Sequence, residues 1–228
     1  LKKLRILVHG GFGGGKPKFL DHPKLKGIPV KYFPHHKSHA AAGYYTSRFS
    51  EATVVVLDAI GEFNTSTVWH AKGNNLKKVF TQNYPVSFGL FYSAFTQLIG
   101  LKPNEEEYIM MGMAAYGSPK RYYKKVREYF PDRTTQKYGF HKGIIDWAEP
   151  VSDRDKYDIA ASVQQVYEER LEEFMRFALE KTGSANLVFM GGCALNASAN
   201  PILWKVFGDV WIMPNPGDAG SSLGAASL

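Results

Sequence analysis

The sequence predicts an α/β protein, and three observations predict it. Residues 53–57 (TVVVL) form an unbroken β-branched run, the mark of a strand buried on both faces, and two further strand-like runs follow across short turns. Residues 153–181 repeat apolar side chains at steps of three and four, the period of one long helix. The last quarter of the chain twice sets an apolar run ahead of a glycine turn and a helix-forming segment.

Composition narrows the class of molecule. A chain of 228 residues can bury a substantial core, and 44% hydrophobic with 21% charged residues are ordinary globular proportions, which exclude a disordered or fibrous chain. Much of the formal charge of +7 sits in residues 2–26 and 120–133 and reads as solvated surface, so a nucleic-acid partner is not expected. A lone cysteine, Cys193, rules out an internal disulfide framework and fits a reducing compartment. No apolar run approaches the roughly 20 residues of a membrane span, and the charged start LKKLR is not followed by a signal-peptide core. A cytoplasmic protein with no membrane partner is the expectation.

Taken in order, the chain opens with a strand over residues 4–8 and the glycine-rich GGFGGGK. Gly10, Gly15 and Lys16 match the first part of a triphosphatase phosphate loop, but Pro17 stands where Ser or Thr must hold magnesium. Pro23 closes off the helix that would aim its N-terminus at phosphates, so a flexible turn is the better reading. A second strand (29–33) leads into PHHKSHAAAGYY, whose alanines favour a helix, expected over residues 37–48. His35 and His39, four apart, would stack on one helix face about 6 Å apart along the axis. Such a pair can share one metal ion or one anionic ligand, or it can simply decorate a surface. His36 lies about 100° round the helix and cannot join it, so its expected role is packing.

Residues 58–62 (DAIGE) should be a tight turn after the strand. Asp58 either caps that turn or belongs to a phosphate site, because Gly61, three residues on, lets backbone come close to a ligand. Strands at 65–70 and 76–82, joined by a turn at 72–75, complete a meander. Residues 87–99, apolar nearly all round, predict a buried helix. Residues 104–117 predict another, with acidic residues at its start and Gly112 marking a close approach or a break. A basic amphipathic helix is expected over 119–130, irregular chain over 131–150, and the longest helix over 153–181, stopped by Thr182 and Gly183. Strand 187–190, the turn Gly191 and Gly192, and a helix reaching Phe207 follow; then strand 210–213, the turn 214–218 and a last helix. Ligands in such units gather at the carboxyl ends of the strands, where Gly191, Gly192, Gly217 and Asp218 fall.

A three-strand meander, then helices, then strand–helix–strand–helix resembles one lobe of the ribonuclease-H-like, actin-like ATPase fold. Five short motifs narrow the resemblance: residues 35–40 (HHKSHA), 58–62 (DAIGE), 108–117 (YIMMGMAAYG), 191–196 (GGCALN) and 216–224 (PGDAGSSLG). In this order they resemble the HHxxHA, DGxGE, EYKxMGLAPYG, GGxALN and PxxGDxGxxxGA motifs of the NodU/CmcH family of O-carbamoyltransferases, enzymes that place carbamoyl groups on hydroxyls.

The resemblance implies roles for the matching positions. His35, His39, Asp58 and Asp218 would ligate a divalent metal, iron by analogy, with Mn or Zn also acceptable to two imidazoles and two carboxylates. Gly61, Glu62, Gly112, Gly191, Gly192, Asn196 and Gly217 would border ATP or carbamoyl-adenylate, with Gly191, Gly192 and Asn196 as the adenosine seat. No catalytic residue is assigned, and Cys193, at a variable position, reads as packing. The sequence departs from the family at Ala59 (glycine there), Ile109 (lysine) and Ala115 (proline), and loss of the lysine removes a phosphate or substrate contact. A small-molecule hydroxyl acceptor is implied, with carbamoyl phosphate entering through a YrdC-like domain. No segment of this chain corresponds to that domain or to the family's opening strand–turn–strand. The expected domains are residues 1–50, the end of a first lobe with the HHxxH helix, and residues 51–228, a complete second lobe. Surface left open by the partial lobe would allow a homodimer. Two other readings stand beside this one. A relative of the tRNA threonylcarbamoyl-transferases would carry HxExH, which Lys37 contradicts; a non-catalytic module would keep only the metal and nucleotide pocket.

Overall fold

The computed structural model describes residues 6–9 and 22–228, so the expected glycine turn at residues 10–16 lies outside the described residues. Strands β1 (Ile6–His9) and β2 (Val30–Phe33) pair in parallel. Helix α1 (His35–Thr46) starts and ends two residues earlier than expected. Pro34 is extended (ψ 139°), and its carbonyl accepts the first helical hydrogen bond from Ser38 N at 3.0 Å. Both histidines of the pair therefore lie within the helix.

The meander forms from β3 (Glu51–Gly61), β4 (Asn64–Lys72) and β5 (Asn75–Asn83). β6 (Asn186–Met190) and β7 (Asp209–Trp211) extend it in parallel, and among the described residues the sheet order is β5-β4-β3-β6-β7. β3 and β6 pair from Thr53 with Leu187 to Val56 with Met190, which sets their carboxyl ends at one edge. The expected turn at 58–62 is not a turn. β3 continues through Asp58 to Gly61, its pairing with β4 lapsing after Leu57 and resuming at Gly61 with Asn64. Ser87 Oγ donates to the carbonyls of Asp58 (3.2 Å) and Ala59 (2.6 Å), and this supports extended chain where the ladder lapses.

The remaining helices are α2 (Phe88–Leu98), α3 (Glu107–Ala114), α4 (Tyr123–Tyr129), α5 (Asp153–Thr182) and α6 (Asp218–Ser227). α3 and α4 are shorter than expected: Asn104 turns left-handed (φ 64°) ahead of α3, and residues 119–122 form a turn closed by Tyr123 N on Pro119 O. Ser152 and Asp155 make a reciprocal capping box at the start of α5, and Gly183 (φ 73°) ends it. The helix expected from Cys193 to Phe207 is absent, replaced by 3-10 turns at Gly192–Leu195 and Asn200–Lys205. Pro201 has no N–H to give a helix, and the Asn196 side chain takes Ala199 N–H at 3.1 Å, turning the backbone locally.

β3 is buried on both faces, as its sequence predicts. Val55 and Leu57 join Phe88, Phe91, Val163, Phe174 and Phe189 on the side of α2 and α5. Val54 and Val56 join Val188, Met190, Trp69 and the α1 residues Ala40, Ala42 and Tyr44 on the other. α6 packs against α1 so closely that a Cβ on Gly224 would lie 1.8 Å from Ser38 O. Enclosed by the sheet and α6, α1 is buried nearly all round, which explains its run of alanines. Among the described residues no helix is long and apolar enough to cross a membrane.

Candidate metal centre

Four side chains from three elements meet at the carboxyl edge of the sheet. α1 supplies His35 and His39, β3 supplies Asp58 and the first turn of α6 supplies Asp218, with one ligand atom from each within 4.8 Å of all the others. His35 Nε2 lies 3.1 Å from Asp58 Oδ2, 3.1 Å from His39 Nε2 and 3.3 Å from Asp218 Oδ1. His39 Nε2 lies 3.1 Å from Asp218 Oδ1 and 3.5 Å from Asp58 Oδ2. The imidazoles are buried, whereas the Asp218 side chain is 68% exposed, so the cluster opens to solvent on the α6 side.

These spacings fit one cation. Donors about 2.1 Å from a shared ion lie about 3.0 Å apart at adjacent octahedral corners and about 3.4 Å apart in a tetrahedron. Electrostatics point the same way. Burial alone would push His35 down, but hydrogen bonds to Asp218 and Asp58 outweigh it and raise it to about 10. His39 is raised in the same way, against its burial. Asp58, which burial would raise, is held far below the usual carboxylate range by His35 and His39, and the same two histidines depress Asp218. Two imidazolium N–H groups cannot donate to each other across 3.1 Å, so a proton-loaded site leaves the histidine pair in conflict. A divalent ion taking both lone pairs removes that conflict, and two imidazoles with two carboxylates suit Fe, Mn or Zn.

The surrounding backbone fixes the ligands. Asp58 Oδ1 accepts from Ala59 N (3.0 Å) and Gly192 N (3.3 Å), leaving Oδ2 for the histidines. Gly191 sits at φ 94°, and a Cβ there would be 2.1 Å from Leu57 O, so only glycine lets the turn after β6 lie against the end of β3. Its N–H reaches Pro216 O at 2.9 Å, tying in the loop ahead of α6 and Gly217, the residue before Asp218. Gly61 is buried against the imidazoles, where a Cβ would be 2.3 Å from His35 Cδ2, and Glu62 follows in a left-handed conformation (φ 62°) at the β3–β4 turn. Asn196 exchanges amide hydrogen bonds with Gln164 of α5, both at 3.1 Å, so it shapes its turn. Gly112 faces a different cavity, lined by Gly112, Met113, Tyr116, Arg154 and Tyr157, with open space over its Cα. Cys193 is buried, and burial pushes its thiol up.

Two contributors escape sequence reading. Thr67 Oγ1 accepts from Trp69 Nε1 (2.9 Å) and hydrogen-bonds with His36 Nδ1 (3.0 Å); burial drives the pKa of His36 down to about 3 and keeps it neutral. Gln164 holds Asn196 and accepts from Tyr92 OH at 2.8 Å. Its signal in the sequence is an amide set among the apolar positions Val163, Val166 and Tyr167 of α5.

Residues 15–227 match the family model described as carbamoyltransferase N-terminus. The chain belongs to the carbamoyltransferase family. Similar proteins include the nodulation protein NolO of Bradyrhizobium diazoefficiens, 28% identical over 207 residues that cover 85% of this chain and 37% of NolO. The nodulation protein U of Sinorhizobium fredii is 25% identical over 226 residues, covering 85% of this chain and 40% of that protein. A Synechocystis protein described as uncharacterized is 35% identical over 229 residues, 89% of this chain and 37% of its own length. The chain thus spans about two fifths of the curated relatives it matches. Among solved structures, component A of the (R)-2-hydroxyglutaryl-CoA dehydratase of Acidaminococcus fermentans superposes with a TM-score of 0.52 at 16% identity, over 90% of this chain and 70% of that one. Full-length HypF does so with a TM-score of 0.52 at 12% identity, over 90% and 36%. At such identities the likeness speaks for the fold alone, the actin-like ATPase fold that the order of elements predicts.

Proposed function

We propose that this chain carries the transferase site of an O-carbamoyltransferase, which moves a carbamoyl group from carbamoyl-adenylate to a hydroxyl of a small-molecule acceptor. The observation that carries the reading is the convergence of His35, His39, Asp58 and Asp218, beside the glycine turns at Gly191 and Gly217, in a chain of this family. In this reading the four side chains hold a divalent ion, iron first with manganese or zinc as alternatives, which when bound supplies neutralising charge at a phosphate. Gly61, Glu62, Gly191, Gly192, Asn196 and Gly217 border ATP or carbamoyl-adenylate. Asp58 is kept ionised by His35 and His39 and aimed by two backbone N–H groups, and the open side at Asp218, at the positive end of the α6 dipole, is the entry for phosphate. The acceptor oxygen bonds to the carbamoyl carbon as the bond from that carbon to the phosphate oxygen breaks, AMP leaves with the electron pair, and the hydroxyl proton passes to solvent. Carbamoyl-adenylate itself comes from ATP and carbamoyl phosphate on a YrdC-like domain, and the whole assembly works in the cytoplasm.

Calorimetry with ATP, with and without Mn²⁺ or anaerobic Fe²⁺, tests the site. Nucleotide binding should depend on the metal and be lost in His39→Ala and in Asp218→Ala. Parent-like metal and nucleotide binding in both variants would sink the assignment.

A further inference from the structure

The cavity over Gly112 is unused by the reading above. It is a wide-open cleft of about 480 Å³, within the range of small-molecule pockets, and is lined by Gly112, Met113, Tyr116, Arg154 and Tyr157. Gly112 is in the middle of α3, where glycine costs about 1 kcal/mol relative to alanine. Nothing inside the described fold asks for it: a Cβ there would meet no atom within 4 Å. The bare backbone is instead turned toward the cavity, which points to something from outside the chain approaching it.

The walls say what that could be. Tyr116 is 78% exposed and Tyr157 37%, large apolar rings left in solvent, and Tyr108 lies one turn before Gly112 on the same helix face. Arg154 is exposed and has no hydrogen-bond or ion-pair partner among the described residues. The neighbouring carboxylates are engaged elsewhere, Asp153 with Lys156 and Asp155 with Arg121, Tyr122 and Ser152. An unpaired guanidinium beside aromatic faces suits an anion attached to a ring and repels a cation. Tyr157 is seven residues from Gln164 on α5, so the cavity lies two turns, about 10 Å, along that helix from the residue that holds Asn196.

We propose that this cavity is a second small-molecule site, which takes a ring-bearing anion: the ring against Tyr116 and Tyr157 over Gly112, the anionic group on Arg154. The ring could be a sugar or an aromatic, and two probes distinguish them, glucose 6-phosphate and 4-hydroxybenzoate. Calorimetry in EDTA, which leaves the four-ligand cluster out of play, should show one of them binding with Kd of about 1 mM or tighter. Glucose or inorganic phosphate alone should bind at least about tenfold more weakly. Gly112→Leu should abolish binding while its melting temperature equals or exceeds the parent's, since leucine is the better helix former and has room. Arg154→Gln should weaken binding at least about tenfold. His39→Ala should bind the probe as the parent does, which separates this site from the metal-centred one. Binding of neither probe, or parent-like binding by Gly112→Leu, overturns the proposal.

Discussion

Asp58 divides its two oxygens between backbone and imidazole. Oδ1 is held by Ala59 N and Gly192 N, and Oδ2 faces the histidines, so the carboxylate is oriented before any ion arrives. The pH behaviour follows from the charges around it. In the metal-free site the Asp218 and Asp58 carboxylates raise His35 to about 10 and raise His39 as well, so an incoming metal must displace protons from the pair. Metal affinity should therefore rise with pH, by up to about tenfold per unit for each proton released, and titrations at about pH 6.5, 7.5 and 8.5 measure it. Metal-free stability should move the other way. A raised histidine stabilises fully below its unfolded value of 6.5 and loses that contribution as pH climbs toward 10, while the depressed aspartates contribute above about 3.8 and lose it in acid. His36 is a different case, a neutral ring whose Nδ1 depends on the Thr67 hydroxyl. Thr67→Val keeps the shape, leaves His36 Nδ1 and Trp69 Nε1 without that partner and should cost about 1–3 kcal/mol in urea unfolding.

At the scale of elements, the crossing of α1 and α6 decides where Asp218 can be. Gly224 touches the α1 backbone near Ser38, and a methyl there must push α6 outward, carrying the first turn with it. Gly224→Ala should lower stability by about 1–3 kcal/mol in acid and at neutral pH alike and weaken metal binding, whereas Asp218→Ala weakens metal binding and loses only the stability of its histidine contacts, which acid removes from the parent as well. Equilibrium unfolding paired with metal titration on both variants separates the two. This level also marks how far the sequence could be read. The unbroken TVVVL run announced a strand buried on both faces, and the four-residue histidine spacing announced one helix face, because each pattern records a local period. Residues 58–62 mislead because aspartate and glycine normally signal a turn, and the support that keeps them extended comes from Ser87, far along the chain, and from the renewed pairing of Gly61 with Asn64. The helix expected after Gly192 failed for a comparable reason: its composition is helical, but Pro201 and the Asn196–Gln164 pair break it into 3-10 turns. The four candidate ligands are legible only through motif resemblance; their convergence is a property of the tertiary fold that no local spacing records.

Across the whole molecule, the candidate centre joins positions 35 and 218 of the chain through α1, β3 and α6. Packing already holds α1 between the sheet and α6, so an ion there would act as a further link among three elements and would bind the folded chain far better than the unfolded one. At a free metal concentration of 100 times Kd, such linkage adds about 2.7 kcal/mol to folding. For a protein of this size each kcal/mol raises the melting temperature by roughly 2–4 °C, so EDTA-treated protein should gain about 5–11 °C when Mn²⁺ or Zn²⁺ is restored. Scanning calorimetry reads this directly, and the Asp218→Ala protein, with one ligand gone, should show little of the rise. An equal rise in that variant would mean that the stabilising ion is bound somewhere other than between α1, β3 and α6.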